Sequence, residues 1–195
     1  MKNNIIRIKG FTLIELMVTM ALLAILMAVA VPSMTTFQRN AQLTSFSNTM
    51  LASINAARGE AMKRGRSARM VPTGGGTDWN NGWVIFVDVA RTGDYTSPGN
   101  ITIASREAKP SYLTITGFGT PAETPPYILF DASGYSKTNS GGFGASSFEI
   151  KRNDVTGTEQ LSQTRRVKIA STGRVRVCTP VSTTDALCSV AASSL

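Results

Sequence analysis

Among its 195 residues the chain has no histidine and only two cysteines. Without an imidazole, neither a Ser-His-Asp nor a Cys-His nucleophile system can be assembled. Zinc loses its commonest nitrogen ligand, and Cys178 and Cys188, spaced C-x9-C, are a poor zinc frame. Phosphate-binding fingerprints are missing as well. Gly74-Gly75-Gly76 is not followed by lysine and reads as a flexible loop, not as a Walker A or dinucleotide motif. No two carboxylates stand in a recognisable catalytic frame. These absences point to a protein that is not an enzyme and carries no cofactor and no resident metal.

What is present is concentrated at the start. Lys2, Arg7 and Lys9 lead to Gly10, and from Phe11 to Val31 the chain is apolar except for Glu15. That run has the length of a membrane-spanning helix, roughly 20 residues. A lone carboxylate inside such a helix is expensive unless it finds a partner, which points to assembly of many such helices. Two simpler readings compete. An ordinary secretory signal would use Ala28-Val29-Ala30 as its cleavage site, but the run exceeds the usual h-region of about 7–15 residues and contains an acid. A plain membrane anchor leaves the unit Gly10-Phe11-Thr12-Leu13-Ile14-Glu15 unexplained. Positive leader residues stay cytoplasmic, so the body should face the periplasm. In an exported domain, an even and closely spaced cysteine pair reads as a disulfide, Cys178–Cys188. The formal charge is +8. Part of it lies in the leader, and the remainder suits an anionic partner without proving one.

From Phe11 to about Arg64 the pattern predicts one helix of roughly 80 Å. It is apolar all round at first and interrupted by Pro32. Beyond that, Leu43, Phe46, Met50, Ile54, Ala57 and Ala61 recur at three- and four-residue steps, a stripe that should pack on a sheet. Gly65 is the expected stop. Lys63, Arg64, Arg66 and Arg69 crowd the exit and suit the negative end of the helix dipole. The rest predicts strands at 68–72, 83–89, 100–106, 112–116, 127–131, 147–151, 165–170 and 174–178, separated by Gly, Pro and Asn turns. Trp83-Val84-Ile85-Phe86-Val87 is apolar on both faces and should be a central strand, after a turn at Asn81-Gly82. Trp79 and Trp83 could be stacking platforms for bases, but beside such a turn they read better as core.

The best candidate for chemistry is the basic hairpin Arg165–Cys178. A two-residue Thr172-Gly173 loop would turn its arginines to the apolar face. A three-residue Ser171-Thr172-Gly173 loop, with Gly173 left-handed, pairs Ala170 with Arg174 and Lys168 with Arg176. In that register Val167, Ile169, Val175 and Val177 share the core face, and Arg166, Lys168, Arg174 and Arg176 share the other. Lys168 opposite Arg176 carries a small cost, of the kind expected where an anion binds; phosphate is the obvious one. Arg174 and Arg176 leave one face of a strand about 7 Å apart. The competing view is a solvated edge whose charges discourage aggregation.

Lys9-Gly10-Phe11-Thr12-Leu13-Ile14-Glu15-Leu16 resembles the class III signal of type IV pilins and pseudopilins. The resemblance implies cleavage between Gly10 and Phe11 by prepilin peptidase, N-methylation of Phe11, and use of Glu15 in filament assembly. Ala57-Arg58-Gly59-Glu60-Ala61, Trp79-Asn80-Asn81-Gly82-Trp83-Val84-Ile85-Phe86-Val87-Asp88, the Arg-Arg-Val strand and Thr172-Gly173-Arg174 are similar to the FimT/FimU/GspH group, and most to FimT-type minor pilins. The likeness is weakest between about Arg91 and Gly144. It implies an α+β pilin fold, a long N-terminal helix packed on a β-rich head of antiparallel sheets. Residues 1–10 would be the leader, 11–37 the transmembrane and filament-core helix, and 38–195 the periplasmic head. The partners would be the inner membrane and other major and minor pilins, and the final location the pilus at the cell surface. Gly173-Arg174-Val175-Arg176 matches the Gly-Arg-x-Arg motif implicated in DNA binding during natural transformation, so double-stranded DNA becomes the expected ligand of Gly173, Arg174 and Arg176 with Arg166 and Lys168. A FimU-like subunit priming pilus assembly and a GspH-like pseudopilin of a type II secretion system are the alternatives. Some pseudopilins hold calcium; Asp88, Asp94 and the loop between them could do so, but EF-hand spacing is absent.

Overall fold

The computed structural model describes residues 10–191; Lys2, Arg7 and Lys9 of the leader lie outside them. The chain divides into two compact units, Met1–Ala41 and Gln42–Leu195. A single helix, α1 (Leu13–Arg64), contributes to both.

The start of α1 is set by its own sequence. Thr12 is the N-cap: its hydroxyl accepts from the Glu15 backbone N–H at 3.2 Å, while the Glu15 carboxylate accepts from the Thr12 N–H at 3.2 Å. This reciprocal Thr-x-x-Glu capping box satisfies two amide donors that a helix start otherwise leaves open. The first stretch, through Phe37, exposes its large side chains, and by length and composition it is apolar enough to cross a membrane. The helix runs on through Pro32. It stops where expected: Gly65 takes φ 62°, Arg66 N–H bonds to Ala61 C=O at 3.1 Å, and Gly65 N–H bonds to Met62 C=O at 3.4 Å. That left-handed, two-bond closure is the glycine-capped ending a side chain would strain. Lys63 and Arg64 both pair with Glu60, so the basic exit is largely a solvated helix end.

In the 42–195 unit the strands are β1 (Ala68–Pro72), β2 (Trp83–Val87), β3 (Ile101–Arg106), β4 (Leu113–Phe118), β5 (Ile128–Phe130), β6 (Ser146–Arg152), β7 (Thr164–Ile169) and β8 (Val175–Cys178). They form two antiparallel four-stranded sheets, ordered β3-β2-β1-β5 and β4-β6-β7-β8. All eight expected strands are present, with ends shifted by a residue or two. One turn of helix, α2 (Thr158–Ser162), was not foreseen; five residues are too few to show a period. β2 is interior and buried along its whole length, as its two-sided apolar run requires.

One core joins the sheets to the later part of α1. Leu43, Met50, Ile54, Ala57 and Ala61 are fully buried, with Phe46 packed beside them. They meet Met70, Trp83, Ile85 and Phe130 of the first sheet and Ile115, Phe148, Ile150, Val167 and Ile169 of the second. Trp83 packs edge-on against Phe46, with ring centroids 5.6 Å apart. Trp79 packs against Phe148 and donates its indole N–H to Pro121 C=O at 2.8 Å. Both tryptophans are core, and neither offers a face to a base.

Candidate functional site

The hairpin β7–β8 adopts the three-residue register. Lys168 opposes Arg176, Ile169 opposes Val175, and Ala170 N–H bonds to Arg174 C=O at 2.9 Å. Gly173 closes the turn at φ 81°, donating to Ala170 C=O at 2.8 Å. Its lack of a side chain is needed twice over. A Cβ there would collide with Gly134 O and lie 2.7 Å from Arg58 Nε. Arg58, on α1, donates to Gly134 C=O at 2.9 Å and to Thr172 C=O at 3.4 Å. The glycine of the Gly-Arg-x-Arg motif therefore lets the turn dock on the helix, and the helix arginine ties the turn down.

Arg166 and Lys168 do not stand on a solvated face. Arg166 is 7% exposed and Lys168 is fully buried. The chain beyond β8 folds back over them, held by the Cys178–Cys188 disulfide, whose Cα atoms are 5.9 Å apart. Arg166 pairs with Glu149 at 2.7 Å and donates to Cys188 C=O. The Lys168 ammonium donates to Ser189 and Ala191 C=O, each at 3.0 Å, and Arg176 donates to Leu187 C=O. Backbone carbonyls of the returning tail thus take up three of the four cations. They also offset the like-charge pairing of Lys168 with Arg176. Burial, followed by the charges of Arg176 and Arg166, pushes the Lys168 pKa below its ordinary value. Arg174 is different. It is exposed, and its side chain has no hydrogen bond or ion pair among the described residues. Of the five residues expected to hold DNA, the structure puts Gly173 at the turn, Arg174 in solvent, Arg176 half-covered, and Arg166 and Lys168 buried under the tail.

Within the tail, one acid organises a turn. Asp185 accepts from the N–H groups of Val181, Leu187 and Cys188 at 3.0–3.1 Å. Those bonds, with the nearby Arg166 charge, hold its carboxyl below the usual carboxylate value.

Both carboxylates of the Asp88–Asp94 loop are engaged by hydrogen bonds. Asp88, 3% exposed, accepts from Arg69 at 2.6 Å, from the Thr92 and Gly93 N–H groups, and from Asn100. Asp94 turns to Thr96, whose N–H and hydroxyl lower its pKa. Donors fill both carboxylates, and among the described residues no His/Cys/Asp/Glu cluster is arranged to hold a metal.

At the other end, Gly10 precedes the helix and is exposed, Phe11 is 87% exposed, and Glu15 lies in the first turn. The capping box was missed in the sequence, although Thr12-x-x-Glu15 is its signature.

Residues 47–173 match the family model described as Type II transport protein GspH, and residues 6–31 match the prokaryotic N-terminal methylation motif. No curated protein matches the sequence. Among solved structures, the chain is similar to the type IV minor pilin FimU of Pseudomonas aeruginosa. The TM-score is 0.55 at 21% identity, covering 75% of this chain and 98% of that one. A second crystal form of FimU gives 0.52, also at 21% identity, covering 71% and 98%. The minor pseudopilin EpsH of the Vibrio cholerae type 2 secretion system aligns at 12% identity and TM-score 0.48, covering 72% and 99%. The α+β fold is thus like that of the minor pilin FimU, and the chain belongs to the GspH family.

Proposed function

We propose that this chain is a minor pilin, anchored in the inner membrane by the apolar part of α1 with its head in the periplasm. Prepilin peptidase cuts it between Gly10 and Phe11, Phe11 is methylated, and the processed chain enters a pilus with other pilins. Displayed there, the head captures DNA through its phosphates. The observation that carries the DNA reading is Arg174. It is a cation in solvent without an internal partner among the described residues, next to a turn that Gly173 and Arg58 hold in place. Phosphate contacts of this kind position a nucleic acid without reading its sequence.

A titration of labelled mixed-sequence DNA against the full chain in non-ionic detergent tests this. Arg174→Gln should weaken binding at low salt and reduce the salt slope by about 0.9 for each phosphate left without its cation. Wild-type protein that binds no DNA at low salt would sink the reading. A purely structural role, FimU-like in a pilus or GspH-like in a secretion system, would then take its place. One observation favours that second reading: the tail already satisfies Arg166, Lys168 and Arg176.

A further inference from the structure

Beside the Gly173 turn lies a loop that the phosphate reading does not use. It runs from Asp131 to Gly144 and is fastened on two sides. Lys137 N–H bonds to Leu129 C=O of β5 at 2.9 Å, and Ser136 N–H bonds to Ser171 C=O of the hairpin turn at 3.0 Å. It closes on itself through an isolated Lys137–Phe143 bridge and a bond from Gly144 N–H to Ser136 C=O at 3.0 Å. On this fixed backbone stand Tyr135, 43% exposed, and Phe143, 63% exposed. They are the strongly exposed aromatic side chains among the described residues of the 42–195 unit. Their ring centroids are 5.5 Å apart, edge to face. The Lys137 ammonium sits 3.7 Å over the Phe143 ring and 3.7 Å from the Asp131 carboxylate, and Arg58 donates to the Gly134 carbonyl next to Tyr135.

Two water-facing rings on a tied loop, with cations around them, are not explained by packing. Exposed apolar surface of this kind marks a contact site. Aromatic faces flanked by lysine and arginine have the chemistry of a single-strand platform: cations track the phosphates and rings stack on bases. A duplex keeps its base faces against one another, so only an unpaired strand can use the rings.

We propose that Tyr135 and Phe143 are a base-stacking platform on the loop beside the turn that carries Arg174, and that the ligand of this head is single-stranded DNA. This rests on the DNA reading above and deepens it. Arg174 would contact phosphates of either form, while the rings would add affinity for the single strand alone. The loop that carries the rings abuts the turn that carries Arg174, through the Ser136–Ser171 bond and the close approach of Gly134 O to Gly173.

The test compares a labelled oligothymidylate with a blunt duplex of equal length, bound to the full chain in non-ionic detergent across a salt series. Tyr135→Ala with Phe143→Ala should lower oligothymidylate affinity at least about tenfold, with an unchanged salt slope and unchanged duplex affinity. Tyr135→Trp with Phe143→Trp should restore or exceed wild-type affinity, a readout that survives if the alanine variant misfolds. Arg174→Gln should weaken both ligands. If both aromatic variants bind oligothymidylate as wild type does while Arg174→Gln weakens it, the platform is overturned and the phosphate reading stands. If wild type binds neither nucleic acid, both fall. If the alanine variant keeps its DNA affinity but is depleted from purified filaments, the rings are a contact to a neighbouring subunit and the proposal is wrong.

Discussion

Gly173 is the position where one atom matters most. It combines a left-handed backbone with a Cβ site already filled by Gly134 O and Arg58 Nε. Gly173→Ala should cost about 2–4 kcal/mol, combining left-handed strain with displacement of packed neighbours. Urea denaturation of the variant beside wild type would measure it; an unchanged midpoint would mean that the turn shifts away freely. Asp185 makes a different prediction. Its folded pKa is depressed, so the folded chain holds its proton less well than the unfolded chain does. The stabilisation is fully present above the usual carboxylate value and is lost as pH falls through the lower folded value. Amide exchange at Val181, Leu187 and Cys188 should therefore accelerate relative to the β6 amides when the sample is acidified below about pH 4, and Asp185→Asn should show much of that loosening already at neutral pH.

The returning tail is the element that decides what the hairpin can bind. Its chain from Pro180 to Ser189 has no strand or long helix, so its order rests on the disulfide, the Asp185 turn and the carbonyls that accept from Arg166, Lys168 and Arg176. Replacing both cysteines by serine removes a loop closure worth roughly 2–3 kcal/mol in the entropic account. The tail should then detach more readily. Lys168 should become accessible to amine acetylation, read by peptide mass spectrometry, while staying protected in wild type. Equal protection in both proteins would mean that the carbonyl contacts hold the tail unaided.

For the molecule as a whole, the two ends of α1 do different physical work. The later part is a half-buried stripe, and the earlier part is apolar around its circumference with one carboxylate. In the isolated chain Glu15 is occupied by Thr12. On the proposed assembly route it would trade this local cap for the amine of Phe11, on its own or a neighbouring subunit, in a low-dielectric setting where an unpaired charge is costly. Glu15→Ala should therefore be processed normally yet be scarce in sheared filaments, as judged by immunoblot against the cell-bound pool. Mass spectrometry of the mature protein should find methylated Phe11 at its terminus. A terminus at Val31 would refute the pilin processing route.

The repeating parts of the chain were determined by sequence alone. The helix stripe from Leu43 to Ala61, the two-sided apolar run of β2 and the β7–β8 register follow from periods of 3.6 and 2 and from one glycine that must be left-handed. Each of these is a local rule that acts within a few residues. The Thr12–Glu15 cap obeyed such a rule as well and was legible, though overlooked. What covers Arg166 and Lys168 was not legible. The acceptors are main-chain carbonyls of an aperiodic tail, and every residue has a carbonyl, so no side-chain pattern announces them. The docking of the Tyr135–Phe143 loop on the Gly173 turn was hidden for a similar reason: it depends on Ser136 N–H meeting Ser171 C=O across 35 residues of chain. Only the tertiary structure, by pairing distant backbone groups, decided which cations face water and which loop lies against the turn that carries Arg174.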